Sequence, residues 1–264
     1  MALLHIDFMS QVLGMEMQMD VILPEATRGQ IGMEGRADGD RWKTLYLLHG
    51  MSDDHTIWQR RTSIERYAAE KGIAVVMPTT HLGWYTDMHC GLKYFTFITD
   101  ELPKICRQFF PNMSDRREDT FAAGLSMGGY GALKCGLRAP EVFSKVASLS
   151  GGLLDGKWLN KKGDIGDLGY WTDVFGDLDQ FDGSFNDLFA AAAEMKDSPL
   201  RPDIYMWCGT EDFLHKQNIK MRNHLRKLGY DFVYQESHGD HQWKYWDAKI
   251  QVVLDWMLKE EEGE

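Results

Sequence analysis

Short apolar runs and stretches of helical spacing take turns along this chain, with glycine, proline or acidic turn residues between them. Met17 to Leu23 reads as an early strand. The Gly-rich, charged stretch Arg28 to Asp40 reads as a loop or hairpin leading into a strand at Thr44 to Leu48. Thr56 to Lys71 has helical spacing and closes at Gly72, a residue type suited to helix C-termini. Ile73 to Met77 is a short β-branched run ended by Pro78; an aromatic loop, His81 to Tyr94, and a helix-like segment, Thr99 to Phe110, follow. Thr120 to Leu125, Lys145 to Leu149, Ile204 to Cys208 and Phe232 to Gln235 are further strands. Tyr130 to Leu137, Leu214 to Leu228 and Trp243 to Leu258 are further helices. This alternation predicts an α/β protein with a mostly parallel central sheet flanked by helices.

One segment departs from the pattern. Gly151 to Pro202 is rich in Gly, Asp and Ala and carries one expected helix, Asn186 to Met195. An insertion between two strands of a wound sheet belongs above their C-terminal edge, where ligands bind. The expectation is a single domain over 1–264, with 151–202 as a small cap-like insertion over the active site.

Composition narrows the classes of function. With 264 residues, 44% of them hydrophobic, the chain can bury a full core, which removes disorder from consideration. A net charge of −11 argues against a phosphate-binding surface, so no nucleic-acid partner is expected. No window approaches the roughly 18 uninterrupted apolar residues of a membrane span. The start, Met1-Ala2-Leu3-Leu4-His5-Ile6-Asp7, lacks the basic region and apolar core of a signal peptide. Cys90, Cys106, Cys135 and Cys208 are far apart, with no C-x-x-C pair, and read as reduced thiols in a cytoplasm.

The candidate chemistry centres on Gly124-Leu125-Ser126-Met127-Gly128, entered by a strand and left by a helix. That context makes it a nucleophile elbow, a sharp turn that lifts a serine hydroxyl clear of the backbone. Serine is a weak nucleophile at neutral pH, so it needs a base, and the base needs an acid to fix its tautomer. On this kind of sheet the chain order is serine, acid, histidine. Asp212 follows the strand ending at Cys208, and His238 and His241 follow the strand ending at Gln235. His241, at the entrance of the helix beginning Trp243-Lys244-Tyr245-Trp246, is the favoured base. His238 reads as a polar loop residue, Asp240 as a turn or cap, and Glu211 as solvent-facing. An oxyanion hole takes one amide from Met127 and the second from the loop after Leu47-Leu48-His49-Gly50, where Met51 is assigned and Ser52 is the alternative. His49 reads as structural. Trp84, Tyr85, Trp207 and Trp243 are candidate pocket walls. The clusters His49, Asp53, Asp54, His55 and His238, Asp240, His241 show no complete metal-ligand motif, so no metal or organic cofactor is expected.

These residues also carry a family resemblance. Leu47-Leu48-His49-Gly50, Gly124-Leu125-Ser126-Met127-Gly128-Gly129-Tyr130-Gly131, Cys208-Gly209-Thr210-Glu211-Asp212-Phe213-Leu214 and Gly239-Asp240-His241-Gln242-Trp243 resemble the esterase D superfamily, most of all its bacterial tributyrin esterase branch. The resemblance spans nearly the whole chain. It implies an α/β-hydrolase fold, a homo-oligomer, and hydrolysis of short-chain acyl esters of small molecules by Ser126, His241 and Asp212. Relatives in that superfamily include S-formylglutathione hydrolases, acetyl esterases and feruloyl esterases, which leaves the leaving group open among alcohol, sugar and thiol. The functional alternative of another class is an inactive binding module on the same fold.

Overall fold

Eight strands form one sheet in the order β1-β2-β4-β3-β5-β6-β7-β8 in the computed structural model, which describes residues 1–27, 29, 31–37, 39–160 and 168–259. Parts of the expected loop Arg28 to Asp40 and of the insertion Gly151 to Pro202 therefore lie outside the described residues. β1 (Ala2–Ser10) and β2 (Met15–Leu23) form an antiparallel hairpin, and β2 pairs antiparallel with β4 (Ala74–Pro78). From β4 onward all neighbours are parallel: β3 (Thr44–Leu48), β5 (Thr120–Leu125), β6 (Lys145–Leu149), β7 (Asp203–Gly209) and β8 (Val233–Ser237). β3 and β5 are buried throughout, as central parallel strands covered on both faces must be.

The helices cover those faces and bury two apolar clusters, one on each side of the sheet. One contains Tyr46, Leu48, Tyr130, Leu133 and Trp84; the other contains Leu45, Leu47, Trp58, Trp207 and Trp246. Successive residues of β3 thus point to opposite cores, as the pleat requires.

The observed elements differ from the expected ones where polar side chains intervene. The stretch Thr56 to Lys71 holds two helices, α1 (Ile57–Arg61) and α2 (Ile64–Lys71). Thr62 is extended between them; its hydroxyl donates to the Trp58 carbonyl at 2.5 Å and accepts from the Ile64 amide at 3.1 Å. The Trp58 carbonyl keeps its helical partner, the Thr62 amide, and the hydroxyl supplies the Ile64 amide with the acceptor that a continuous helix would have given it. Thr99 to Phe110 begins earlier, with a wide π turn at Phe97–Glu101 ahead of α3 (Leu102–Phe109). Pro103 lacks the amide that a regular turn needs, and the wider turn accommodates it. The elbow helix α4 (Met127–Arg138) starts directly at the nucleophile position. Within the insertion lie α5 (Gly156–Leu159), α6 (Leu168–Phe175) and α7 (Leu188–Met195). α8 (His215–Lys227) follows β7, and α9 (Trp243–Leu258) follows β8.

At the C-terminal edge of the parallel strands, backbone packs on backbone through glycine. A Cβ on Gly128 would lie 2.6 Å from the His49 carbonyl oxygen and inside the Leu48 carbonyl oxygen, so the start of α4 sits on the end of β3. A Cβ on Gly129 would lie 2.8 Å from Gly151 Cα. A Cβ on Gly209 would overlap the Gly239 carbonyl, so the loops after β7 and β8 also touch through main chain.

Gly128→Ala is therefore expected to cost about 3 kcal/mol or to prevent folding, because overpacking here meets backbone rather than a side chain that can move. Gly14→Ala, at a hairpin φ of +68° with nothing within 4 Å, is expected to cost only about 1 kcal/mol. Urea unfolding of both variants distinguishes the two cases.

Candidate active site

Ser126 occupies the turn between β5 and α4 with φ 53° and ψ −118°, a conformation a non-glycine residue adopts only when its surroundings impose it. Those surroundings are identifiable. The Ser126 amide donates to the Leu149 carbonyl at 2.9 Å, and its carbonyl accepts from Gly129, Tyr130 and Gly152 at 3.0, 3.2 and 2.9 Å. The elbow is thus pinned to the end of β6 and to the first residues of the insertion.

Asp212 and His241 meet in space. His241 Nδ1 lies 2.9 Å from Asp212 Oδ2, and the Leu214 amide donates to Asp212 Oδ1 at 2.8 Å. Burial alone would raise the Asp212 pKa. The hydrogen bond and charge of His241, the Leu214 amide and the Ser150 hydroxyl outweigh it and hold the carboxyl below its ordinary value. The His241 ring sits between Phe213, at 4.6 Å, and the edge of Trp246, at 4.8 Å, while Trp246 Nε1 donates to Ser150 Oγ at 3.1 Å.

Ser126 and His241 both line one cavity of about 200 Å³. Its other walls include Met51, Trp84, Leu154, Trp158 and Phe213. Leu154 and Trp158 belong to the insertion, and Phe213 is the exposed neighbour of Asp212; sequence patterning singled out none of the three as a wall. The adjacency of Phe213 to the acid was the one available signal. Of the four aromatic candidates, Trp84 alone lines this cavity. Tyr85 is buried beneath it with its hydroxyl donating to the His49 carbonyl at 2.9 Å. Trp207 points to the opposite face of the sheet and donates to Ser237 Oγ at 3.1 Å. Trp243 packs edge-on against Trp58, 5.1 Å between ring centres.

The loop after β3 lies against the nucleophile: a Cβ on Gly50 would be 3.7 Å from Ser126 Cβ. Met127 is the first residue of α4, whose amide has no acceptor within the helix. Among the described residues neither the Met51 nor the Met127 amide donates to another backbone carbonyl, and the same holds for Ser52. His49 holds this loop. The Thr80 amide donates to its Nε2 at 2.9 Å, so the proton is on Nδ1, which donates to the Gly50 carbonyl at 2.7 Å. Burial lowers the His49 pKa to about 4.

His238 lies apart from the cavity, 83% exposed, with Nδ1 3.2 Å from Glu211 Oε1. Glu211 does face solvent, and it also braces two loops by accepting the Gly239 amide at 2.7 Å and the Thr210 hydroxyl at 2.9 Å. Led by the Gly239 amide, these bonds pull its pKa down to about 2. Asp240 accepts from Gln242 Nε2 at 2.7 Å. Asp54 bonds to Thr56, and His55 to Thr79. Among the described residues no three His, Cys, Asp or Glu side chains are grouped as metal ligands.

A doubly wound sheet with a strained serine at its C-terminal edge and an Asp-bonded histidine on the same cavity defines an α/β-hydrolase of the serine type. Residues 10–257 match the Esterase family, described as "Putative esterase", and the chain belongs to that family, within the esterase D-like superfamily. It is 34% identical to the acetyl esterase of Caldicellulosiruptor saccharolyticus, over 98% of this chain and 99% of that protein. The fluorophosphonate-binding serine hydrolase FphF of Staphylococcus aureus, solved with substrate bound, superposes with a TM-score of 0.86 at 31% identity, covering 98% of this chain and 99% of the other. The S-formylglutathione hydrolase FrmB of the same organism gives 0.83 at 32% identity, with the same coverage. The protein is a serine ester hydrolase. Among the described residues no helix is long and apolar enough to cross a membrane.

The buried His49 sets an acid limit on stability. Above pH 6.5 both folded and unfolded states carry it neutral; between 6.5 and about 4 only the unfolded state takes up the proton, so stability falls with falling pH. Full protonation of the unfolded state across that window is worth about 3 kcal/mol. Urea unfolding at stepped pH is expected to show this loss in the wild type and a shallower one in His49→Gln.

Proposed function

We propose that the protein hydrolyses short-chain acyl esters through an acyl-enzyme on Ser126, with His241 as base and Asp212 as the acid that orients it. The observation that carries this is the single small cavity lined by both Ser126 and His241, with Asp212 2.9 Å behind the imidazole. The Asp212 bond fixes the proton on Nδ1 and leaves Nε2 as the basic nitrogen. Ser126 Oγ attacks the ester carbonyl as His241 takes its proton, and the Met51 and Met127 amides receive the oxyanion, with Ser52 the alternative to Met51. The imidazolium then protonates the leaving alkoxide. Water activated by the same histidine attacks the acyl-enzyme, releasing the acid and restoring the serine.

Cavity size and lining support a short acyl group. About 200 Å³ is below the roughly 300–1,000 Å³ of sites for drug-sized ligands, and the walls are predominantly apolar. The acetyl esterase relative, similar over its whole length, points the same way. The first part of insertion 151–202 serves as a cap in this reading, which is supported by Leu154 and Trp158 lining the cavity. The tributyrin esterase branch and a cytoplasmic location belong to the same reading; the four free thiols, three of them buried, suit a reducing compartment. A thiol leaving group is the second reading, favoured by the likeness to FrmB.

Ser126→Ala is expected to lower kcat by roughly 10⁴-fold or more and to abolish the mass gain with a fluorophosphonate, leaving the circular dichroism spectrum intact. Asp212→Asn is expected to lower kcat by roughly 10⁴-fold, since it presents the wrong tautomer of His241. His238→Ala keeps most activity; a collapse in that variant would reassign the base. Comparing kcat/KM for acetyl, butyryl and feruloyl esters and S-formylglutathione separates the two readings.

A further inference from the structure

Lys134 is an ionisable group that the reaction does not use, and it is fully buried. It lies on α4, two turns beyond Ser126. Among the described residues it pairs with no carboxylate. Its ammonium instead donates to Thr86 Oγ1 at 2.7 Å and to Asn186 Oδ1 at 2.6 Å, and it lies 5.1 Å from the ring centre of Phe95 and 5.5 Å from those of Tyr130 and Phe185. Burying an ammonium is costly, and an apolar side chain of similar length would fill this space more cheaply. What distinguishes the lysine is its pair of directed donors.

One acceptor leads to a cavity wall and the other to the insertion. The Thr86 hydroxyl that receives the ammonium donates in turn to the Trp84 carbonyl at 3.0 Å. Trp84 and Tyr85 are consecutive buried residues at φ 49°, a backbone state that bulky side chains hold only under external restraint. Trp84 is also the wall that packs against Gly152, where an added Cβ would lie 2.9 Å from the indole. On the other side, Asn186 belongs to the insertion. Tyr130, Lys134 and Arg138, spaced four residues apart on one face of α4, fasten three successive insertion residues. Tyr130 Oη donates to the Asn186 carbonyl at 2.8 Å, and Arg138 donates to the Phe185 and Ser184 carbonyls at 3.1 and 3.3 Å.

We propose that Lys134 is a positioning residue for acyl-chain selectivity: through Thr86 it fixes the Trp84 wall, and through Asn186 it locks that wall to the insertion. The proposal rests on reading the Ser126 cavity as the acyl pocket. Released from Thr86, the Trp84 turn relaxes and the cavity admits longer acyl chains.

The test uses the full chain with p-nitrophenyl acetate, butyrate and hexanoate, in wild type, Lys134→Met, Thr86→Val and Thr86→Ser. In Lys134→Met and Thr86→Val the butyrate-to-acetate ratio of kcat/KM is expected to rise about tenfold, the low end of what one methylene of pocket space provides. The change is expected mainly as a lower KM for butyrate, with the acetate constants little altered. Thr86→Ser, which keeps the hydroxyl, is expected to retain the wild-type ratio. An unchanged ratio in folded Thr86→Val, or a uniform loss for all three esters, overturns the proposal, and Thr86→Val decides alone where Lys134→Met does not fold. A wild type whose turnover survives Ser126→Ala would overturn the reading of the cavity itself, a result visible without any Lys134 or Thr86 variant.

Discussion

Close approach of main chain to main chain at one edge of the sheet is the constraint on which the site depends. Gly128 lets α4 start against the carbonyls ending β3, Gly129 admits Gly151, and Gly209 meets Gly239. Each contact joins segments at the ends of different strands, and a side chain at any of these points would force the two backbones apart. Ser126, His241 and the loop at Met51 therefore meet at one cavity, with Asp212 behind the histidine, through residues that have no side chain.

Polar groups then fix what the glycines permit. His49 bonds the Gly50 carbonyl and the Thr80 amide in a single tautomer, Tyr85 bonds the His49 carbonyl, and Glu211 ties the turn after β7 to Gly239. The strained residues Ser126, Ser150, Trp84 and Tyr85 all lie within this bonded region. Strain is concentrated where hydrogen bonds from more than one element converge, which is how a fold holds an unfavourable backbone conformation in place.

Much of the fold was legible in the sequence because its parallel strands are buried on both faces and appear as continuous apolar runs between helical stretches. Ser126 and Asp212 stood out as candidates for the same reason, each following such a run, whereas His241 follows the half-exposed edge strand β8 and was favoured by its place at the entrance of an aromatic helix. The hairpin strand β1 was harder to read: it alternates at a half-exposed edge, and its apolar positions are interrupted by His5 and Asp7. The break at Thr62 goes with one hydroxyl bonding backbone groups on both sides of it, which periodicity does not register. The cavity walls were the least legible part. Trp207 and Trp84 are alike as residues, yet strand alternation sends one to the far core while a left-handed turn sends the other to the serine. The path of the insertion that delivers Leu154 and Trp158 leaves no periodic trace in the sequence.

The order of the parts along the chain has a consequence for synthesis. The amide-bearing loop after β3 and the elbow at Ser126 come first, whereas His241, and the Trp246 that buttresses it, belong to later segments. A ribosome moving from N- to C-terminus therefore makes Ser126 before the histidine that the proposed mechanism assigns as its base. On that assignment the nascent polypeptide has no base for its serine until the segment carrying His241 and α9 has been made.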